Sequence, residues 1–85
     1  MNYTVVWGPR VEQMLAAVWL ASVDRNAVTR ASEEIDLLLR GDPLRVGRHL
    51  NSSIRRTFSH SPIGVIFEVV EDDKKVVVQA VYSTI

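Results

Sequence analysis

Two valine-rich runs near the end of the chain limit its possible folds more than any other feature. They cover about 64–71 and 75–82, and the charged segment EDDKK joins them. β-Branched residues favour strands and Asp-rich polar segments favour turns, so the pattern predicts a β-hairpin. The stretch VVVQAV at 76–81 is apolar on both faces, which is typical of a central or well-covered strand. The hairpin therefore predicts the middle of a β-sheet.

Two further strands are predicted before the hairpin. Residues 54–59 precede the turn-forming sequence SHSP, which makes the C-terminal part of the chain a three-stranded meander. At the N-terminus, NYTVVW (2–7) is rich in β-branched and aromatic residues, and Gly8 followed by Pro9 ends it.

Two helices are predicted between the first strand and the meander. Pro9 suits the first position of a helix, because its missing N–H would have no partner there, and this helix runs to about Ser22. Asp24 has the side chain of an N-cap for a second helix, which Gly41 ends. The apolar residues recur at spacings of three and four: Val11, Met14, Leu15, Val18 and Trp19 in the first helix, and Ala27, Val28, Ala31, Ile35, Leu38 and Leu39 in the second. The short link predicts an antiparallel helical hairpin.

The predicted fold class is α+β, in the order β-α-α-β-β-β. A mainly antiparallel four-stranded sheet with the helical hairpin packed on one face is the economical way to bury both apolar stripes. Periodicity places Trp7, Met14 and Trp19 in the core. The 85 residues predict a single domain, 1–85. The other face of the sheet stays partly open, and we expect any function there or on the irregular loop 41–53.

Composition excludes several classes of function. The chain has no cysteine, which rules out a disulfide framework and a thiolate zinc site. It shows neither a signal-peptide pattern nor an apolar stretch of bilayer length, so we expect a cytoplasmic protein without membrane contact. The two histidines have no fitting carboxylate nearby and no glycine-rich phosphate loop is present, so we expect neither metal nor cofactor.

The charges are balanced overall but unevenly placed. Ten basic and ten acidic residues cancel, so the whole protein has no field that would draw it to a polyanion. Between Asp42 and Glu68, however, there is no carboxylate, and this segment holds Arg45, Arg48, Arg55, Arg56, His49 and His60. The distribution predicts a local anion-binding face.

The order of these motifs resembles the RelE/ParE superfamily, the toxins of bacterial toxin–antitoxin modules. The matching segments, which span nearly the whole chain, are Tyr3-Thr4-Val5-Val6-Trp7, Leu39-Arg40-Gly41-Asp42-Pro43 with Gly47, Arg55-Arg56, and Val65-Ile66-Phe67-Glu68-Val69. The resemblance implies a cognate antitoxin that wraps the toxin, and a place among RNA-binding or plasmid-stabilising proteins. It also implies one of two activities: RelE-type members cleave mRNA on the ribosome without a metal, and ParE-type members poison DNA gyrase.

Residue by residue, the chain departs from the nuclease pattern. RelE-type nucleases place an arginine at the start of the second meander strand, where this chain has Gly64, and another near Thr84. We therefore interpret the chain as a toxin-like component that binds a macromolecular target with an incomplete nuclease site. One alternative is an mRNA endonuclease in which Arg55 stabilises phosphate charge and His60 moves the proton. The other is a non-toxic interaction module that keeps the fold.

Arginines from the carboxylate-free segment are the candidate target or phosphate contacts: Arg45, Arg48 and Arg55. Strand alternation sends Arg55 to the open face of the sheet and Arg56 towards the helices, if Phe58 faces the core. His60, at the turn, is expected near the face of Arg55.

Overall fold

The computed structural model describes residues 2–50 and 54–85. Within these ranges the chain forms two α-helices and five β-strands: β1 (Thr4–Trp7), α1 (Pro9–Ala21), α2 (Arg25–Gly41), β2 (Arg48–His49), β3 (Arg55–His60), β4 (Ile63–Val70) and β5 (Lys75–Ser83). The predicted α+β class is confirmed. The predicted number of strands is wrong, because Arg48–His49 in the predicted loop pairs with β3 as a two-residue strand. Residues 51–53 of that loop lie outside the described residues.

The strands form one sheet in the order β1-β5-β4-β3-β2. β1 runs parallel to β5, and the other neighbouring pairs are antiparallel. The predicted hairpin holds the centre, with β4 and β5 paired from Ile63 and Ser83 at one end to Val70 and Lys75 at the other. β5 lies between β1 and β4, and this inner position explains why its apolar residues occupy both faces.

A β-bulge in β5 resets the alternation of its side chains. Ile66 pairs with Ala80 while the next residue, Phe67, pairs with Val78, which leaves Gln79 as the extra residue. An extra residue moves every later side chain to the other face. The core therefore receives residues from both sides of the bulge: Val76, Val78 and Val81.

The two helices cover one face of the sheet and close the core against it. α2 contributes one buried stripe, and β4 contributes the largest buried side chains: Val28, Ala31, Ile35 and Leu39 from the helix, and Ile63, Val65 and Phe67 from the strand. The predicted N-cap is confirmed, because the Asp24 side chain accepts a hydrogen bond from the Ala27 N–H at 3.1 Å. Neither helix in the described ranges combines the length and apolarity needed to cross a bilayer.

Two predicted members of the apolar stripes lie at the surface instead. Trp19 is 37% exposed and Leu38 is 43% exposed, because a two-layer fold covers each helix on one side only. The Trp19 ring packs against the Arg25 guanidinium, whose Cζ lies 4.9 Å from the ring centroid. Arg25 also donates hydrogen bonds to the Trp19 and Leu20 carbonyl oxygens, so it helps to satisfy the carbonyls at the end of α1.

The edge strand β1 is fixed to α2 by hydrogen bonds as well as by packing. The Trp7 indole Nε1 donates to Asp36 Oδ1 at 2.7 Å, and the Tyr3 N–H donates to the Arg40 carbonyl at 2.8 Å. Asp36 is itself oriented by Arg40, whose Nε lies 2.6 Å from Asp36 Oδ2. Trp7 is half-buried and packs against the core, with its one polar atom satisfied.

Two leucines on α2 provide a matched test of this architecture. Leu39 is fully buried, so Leu39→Ala is expected to lower the free energy of unfolding by about 2–5 kcal/mol. Leu37 is 69% exposed on the same helix, and Leu37→Ala is expected to change it by less than about 0.5 kcal/mol. Urea denaturation followed by circular dichroism measures both values, and equal losses would contradict the described burial.

Candidate functional site

The candidate site lies on the face of the sheet that the helices leave open. Arg55, Thr57 and Ser59 of β3 are paired across the strands with Glu68, Ile66 and Gly64 of β4. Residues directly opposite each other share a face, so these side chains point away from the helices. The alternating residues of β3 point the other way, as Phe58 shows by packing against the core. Arg55 therefore lies on the face that strand alternation predicts.

Tyr82, near the end of β5, occupies one end of this open face. Its phenolic oxygen lies 2.8 Å from Thr57 Oγ1, and the Thr57 hydroxyl is also 3.1 Å from the Val65 carbonyl. A hydroxyl has one hydrogen, so when Thr57 donates to that carbonyl the Tyr82 phenol donates to Thr57. Thr57 is buried with both contacts satisfied. The pair fixes the position of the tyrosine ring.

The Tyr82 ring packs directly over Gly64, which has no side chain. A Cβ atom at Gly64 would lie 2.3 Å from Cζ of Tyr82 and 2.5 Å from its Oη, which are impossible separations. The ring therefore fills the space where any other residue would place its side chain. This part of the face is aromatic rather than cationic.

Arg55 belongs to a hydrogen-bonded row and is not a free cation. Its Nε donates to Gln79 Oε1 at 3.1 Å, and Gln79 Nε2 donates to Glu68 Oε2 at 2.9 Å. Glu68 is also the cross-strand partner of Arg55, so a carboxylate lies beside the guanidinium. The bulge at Gln79 makes this row possible, because it adds one amide to the open face. The positive charge of Arg55 is thus partly offset locally.

Arg56 holds the loop before β2 against the sheet. It lies on the helix side of β3, where Nε donates to the Val46 carbonyl at 3.2 Å and Nη2 donates to the Gly47 carbonyl at 3.3 Å. Its Nη1 is 3.2 Å from His49 Nε2. Arg56 therefore holds the loop in place and is not available to bind a target. The same guanidinium also contacts the His49 ring.

Gly47 allows the same loop to approach β3 closely. Its φ of +72° is unfavourable for residues with a side chain, and a Cβ there would lie 2.1 Å from the Thr57 carbonyl oxygen. This close approach and the hydrogen bonds of Arg56 explain why Arg48–His49 forms a strand in a segment whose sequence predicts a loop.

The two arginines of the loop have different environments. Arg48 is exposed and pairs across the strands with Thr57, which places it on the open face. Arg45 is also exposed, and its Nε lies 3.3 Å from Asp42 Oδ2 in a solvent-accessible ion pair. Of the three predicted contacts, Arg48 and Arg55 are brought to one face, whereas Arg45 stays in the loop that precedes it.

His60 is not near Arg55, contrary to the expectation from sequence. It pairs with Ile63 at the end of β3 and has the same orientation as Phe58, so it points towards the helices. Its Nε2 contacts Glu34 Oε2 of α2. The expectation fails because β3 continues through His60, so strand alternation, and not the turn, sets the direction of the side chain.

Among the described residues, the open face carries the exposed guanidinium of Arg48, that of Arg55 beside a carboxylate, Lys75 at the start of β5, and a tyrosine held by a threonine. No group of three histidines or acidic residues within 2–50 and 54–85 is arranged to hold a metal ion. Sequence reasoning missed Tyr82, Thr57 and Gln79. The signal for Tyr82 was its place opposite Gly64 in the predicted hairpin, whereas nothing in the sequence marks the bulge at Gln79.

Two glycines test how the loop is held. Gly47→Ala is expected to lower the free energy of unfolding by at least about 1–2 kcal/mol, because of its positive φ and the contact with Thr57. Gly41, the last residue of α2, has open space around it, and Gly41→Ala is expected to be neutral or to stabilise by up to about 1 kcal/mol. Thermal and urea denaturation compare the two variants. A neutral Gly47→Ala would show that the loop is not held this way.

The contact between Gly64 and Tyr82 predicts strong coupling between the two positions. Gly64→Ala alone is expected to destabilise the protein, whereas the same change in a Tyr82→Ala background has room for its methyl group. A double-mutant cycle by urea denaturation is expected to give a coupling energy of about 1–3 kcal/mol. Additive effects would contradict the described position of the ring.

Comparison with known proteins supports the fold. No protein-family model and no curated protein sequence matches the chain. Among solved structures, a chain of the toxin–antitoxin complex RelBE2 from Mycobacterium tuberculosis is similar with a TM-score of 0.80 and 18% identity, over 98% of this chain and 92% of that one. The free E. coli toxin RelE, as a double arginine-to-alanine variant, is similar with a TM-score of 0.72 and 10% identity, over 98% of this chain and 84% of that one. The 85-residue chain therefore has the RelE toxin fold.

Proposed function

We propose that this chain is the toxin-like component of a bacterial toxin–antitoxin module, and that it acts in the cytoplasm by binding a macromolecular target through the open face of its sheet. The shared fold supports the toxin-like role. The packing of the Tyr82 ring over Gly64 is the observation that favours binding over RNA cleavage. The ring fills part of the open face where, by the resemblance, a nuclease is expected to carry an arginine.

The surroundings of the other candidate residues favour the same conclusion. Cleavage of a phosphodiester without metal requires a base, an acid and cations that hold the developing charge. Arg55 is hydrogen-bonded to Gln79 and lies beside Glu68, and His60 contacts Glu34 on the other side of the sheet. The proton carrier and the cation of the endonuclease alternative are thus on opposite faces. Arg48 is exposed on the open face, whereas the guanidinium of Arg55 is engaged with Gln79, so Arg48 is the more available target contact there.

The proposal includes a cognate antitoxin. The similar RelBE2 structure is a toxin–antitoxin complex, and the helical hairpin of this chain exposes apolar side chains that a partner can cover. They are Leu20, Val23, Leu37 and Leu38. This surface lies on the helix layer, so an antitoxin there leaves the open face of the sheet for the target.

Induction of the chain alone in bacteria tests the proposal. We expect growth arrest without new 5′ ends in ribosome-bound mRNA mapped from the same cells. Arg48→Ala and Arg55→Ala are expected to weaken the arrest, whereas Arg30→Ala, which removes an exposed arginine from α2, serves as the matched control. A DNA gyrase supercoiling assay then distinguishes gyrase from other targets.

Three results would contradict the proposal. Arrest with new mRNA ends would support the endonuclease alternative. Absence of arrest at full expression would support the non-toxic interaction module. Loss of arrest in His60→Ala, with the fold intact by circular dichroism, would also make His60 a candidate catalytic residue again. Its surface contact with Glu34 is worth at most about 1 kcal/mol, so loss of that contact alone would not explain the loss of arrest.

A further inference from the structure

We propose that the open face binds a protein partner, with Tyr82 as the anchor, and that the partner presents an apolar side chain beside a carboxylate. The inference rests on the proposed function in one respect only, since it takes the target to be bound on the open face. It goes further by naming the chemistry of the partner: a protein surface rather than a nucleic acid.

The floor of the open face is apolar. Two cross-strand rows run over it: Val6 with Val77, and Ile66 with Ala80. Val6 is 37% exposed, and the other three are half-buried on the side of the sheet that the two helices leave uncovered. A solvent-exposed apolar floor gains free energy when another apolar surface covers it. Phosphates and sugars do not provide such a surface, and bases stack on aromatic rings such as Tyr82 rather than on aliphatic rows, whereas protein side chains cover both.

Tyr82 has the properties of an interface anchor. It is 37% exposed, yet its ring rests on Gly64 and its hydroxyl is bonded to Thr57. Its rotamer is therefore fixed before a partner arrives, so binding costs little side-chain entropy. Tyrosine and arginine are the residues most enriched among the energetically dominant positions of protein interfaces.

The charges on the open face favour a protein over RNA. Nucleic-acid binding depends on several cations that neutralise successive phosphates. Here Arg55 lies beside Glu68, Lys75 lies diagonally across from the same Glu68, and the whole chain has no net charge. Arg48 is exposed, and its side chain makes no ion pair or hydrogen bond with the residues of 2–50 and 54–85. A guanidinium that has no partner among the described residues and borders an apolar floor complements a carboxylate at the border of an apolar patch.

The positions of Arg48 and Tyr82 determine how the apolar side chain and the carboxylate of the partner must be arranged. Arg48 is directly across from Thr57, and Thr57 holds the Tyr82 hydroxyl. Arg48 and the anchor therefore flank the same residue. A partner that covers the Ile66–Ala80 row brings its apolar side chain against Tyr82 and its carboxylate towards Arg48.

Peptide selection on the purified full chain tests this inference without any requirement for toxicity. A phage-displayed library of random peptides is selected on the wild-type chain, and the enriched peptides are synthesised with a fluorescent label. We expect them to combine an aliphatic or aromatic residue with a neighbouring Asp or Glu. Anisotropy is expected to show an affinity loss of about tenfold or more for Tyr82→Ala and a smaller loss for Arg48→Ala.

Further variants make the result specific to the open face. Val6→Lys places a charge on the apolar part of the open face, away from the contact between Tyr82 and Gly64, and is expected to abolish peptide binding. It therefore tests the inference even if Tyr82→Ala fails to fold. Arg30→Ala and Leu37→Ala, on α2, are expected to bind as the wild type does. Circular dichroism confirms the fold of each variant.

Four outcomes would overturn the inference: no enriched peptide, peptides unaffected by the open-face variants, tight binding of a labelled mixed-sequence RNA oligonucleotide that Tyr82→Ala abolishes, or a homodimer in analytical ultracentrifugation that Val6→Lys dissociates. The last would assign the face to a second copy of the chain. Growth arrest by a chain that binds no peptide on the open face would contradict this inference but not the proposed function. Peptide binding on the open face without growth arrest would support this inference and contradict the proposed function.

Discussion

The antiparallel pairing of β4 with β5 is the interaction on which both faces of the sheet depend. One side of this pair carries Phe67 and its buried neighbours, which hold the helices. The other side carries Gly64 and Tyr82, directly opposite each other. The bulge at Gln79 adjusts the pairing so that the core receives its valines and the open face receives an amide. The register of β4 with β5 therefore determines both the residues of the core and those of the candidate site.

Most of the polar groups described on the open face are hydrogen-bonded to one another. Thr57 is bonded to Tyr82 and to the Val65 carbonyl, and Arg55 is linked through Gln79 to Glu68. Groups held in this way are rigid, which favours recognition, and they leave little unpaired charge to stabilise a reacting phosphate. The proposed binding function and the proposed protein partner follow from the same arrangement.

Periodicity in the sequence predicted the helices, the central hairpin and the open-face position of Arg55, because apolar spacing and strand alternation act locally. It did not predict β2, which depends on contacts of Arg56 and Gly47 with residues distant in sequence. His60 was misplaced because the length of β3 beyond the apparent turn decides its direction. The role of Gln79 depends on a bulge that one sequence does not specify, whereas Tyr82 could have been found from its place opposite Gly64 in the predicted hairpin.

The central claim is that the Tyr82 ring covers Gly64 and thereby closes this part of the open face. Nuclear magnetic resonance of the free protein tests it most directly, through the chemical shifts of the Gly64 α-protons and their contacts with ring protons. The account predicts upfield ring-current shifts that disappear in Tyr82→Leu, together with nuclear Overhauser effects between Gly64 and the Tyr82 ring. Ordinary Gly64 shifts that do not respond to the substitution, without ring contacts, would contradict it.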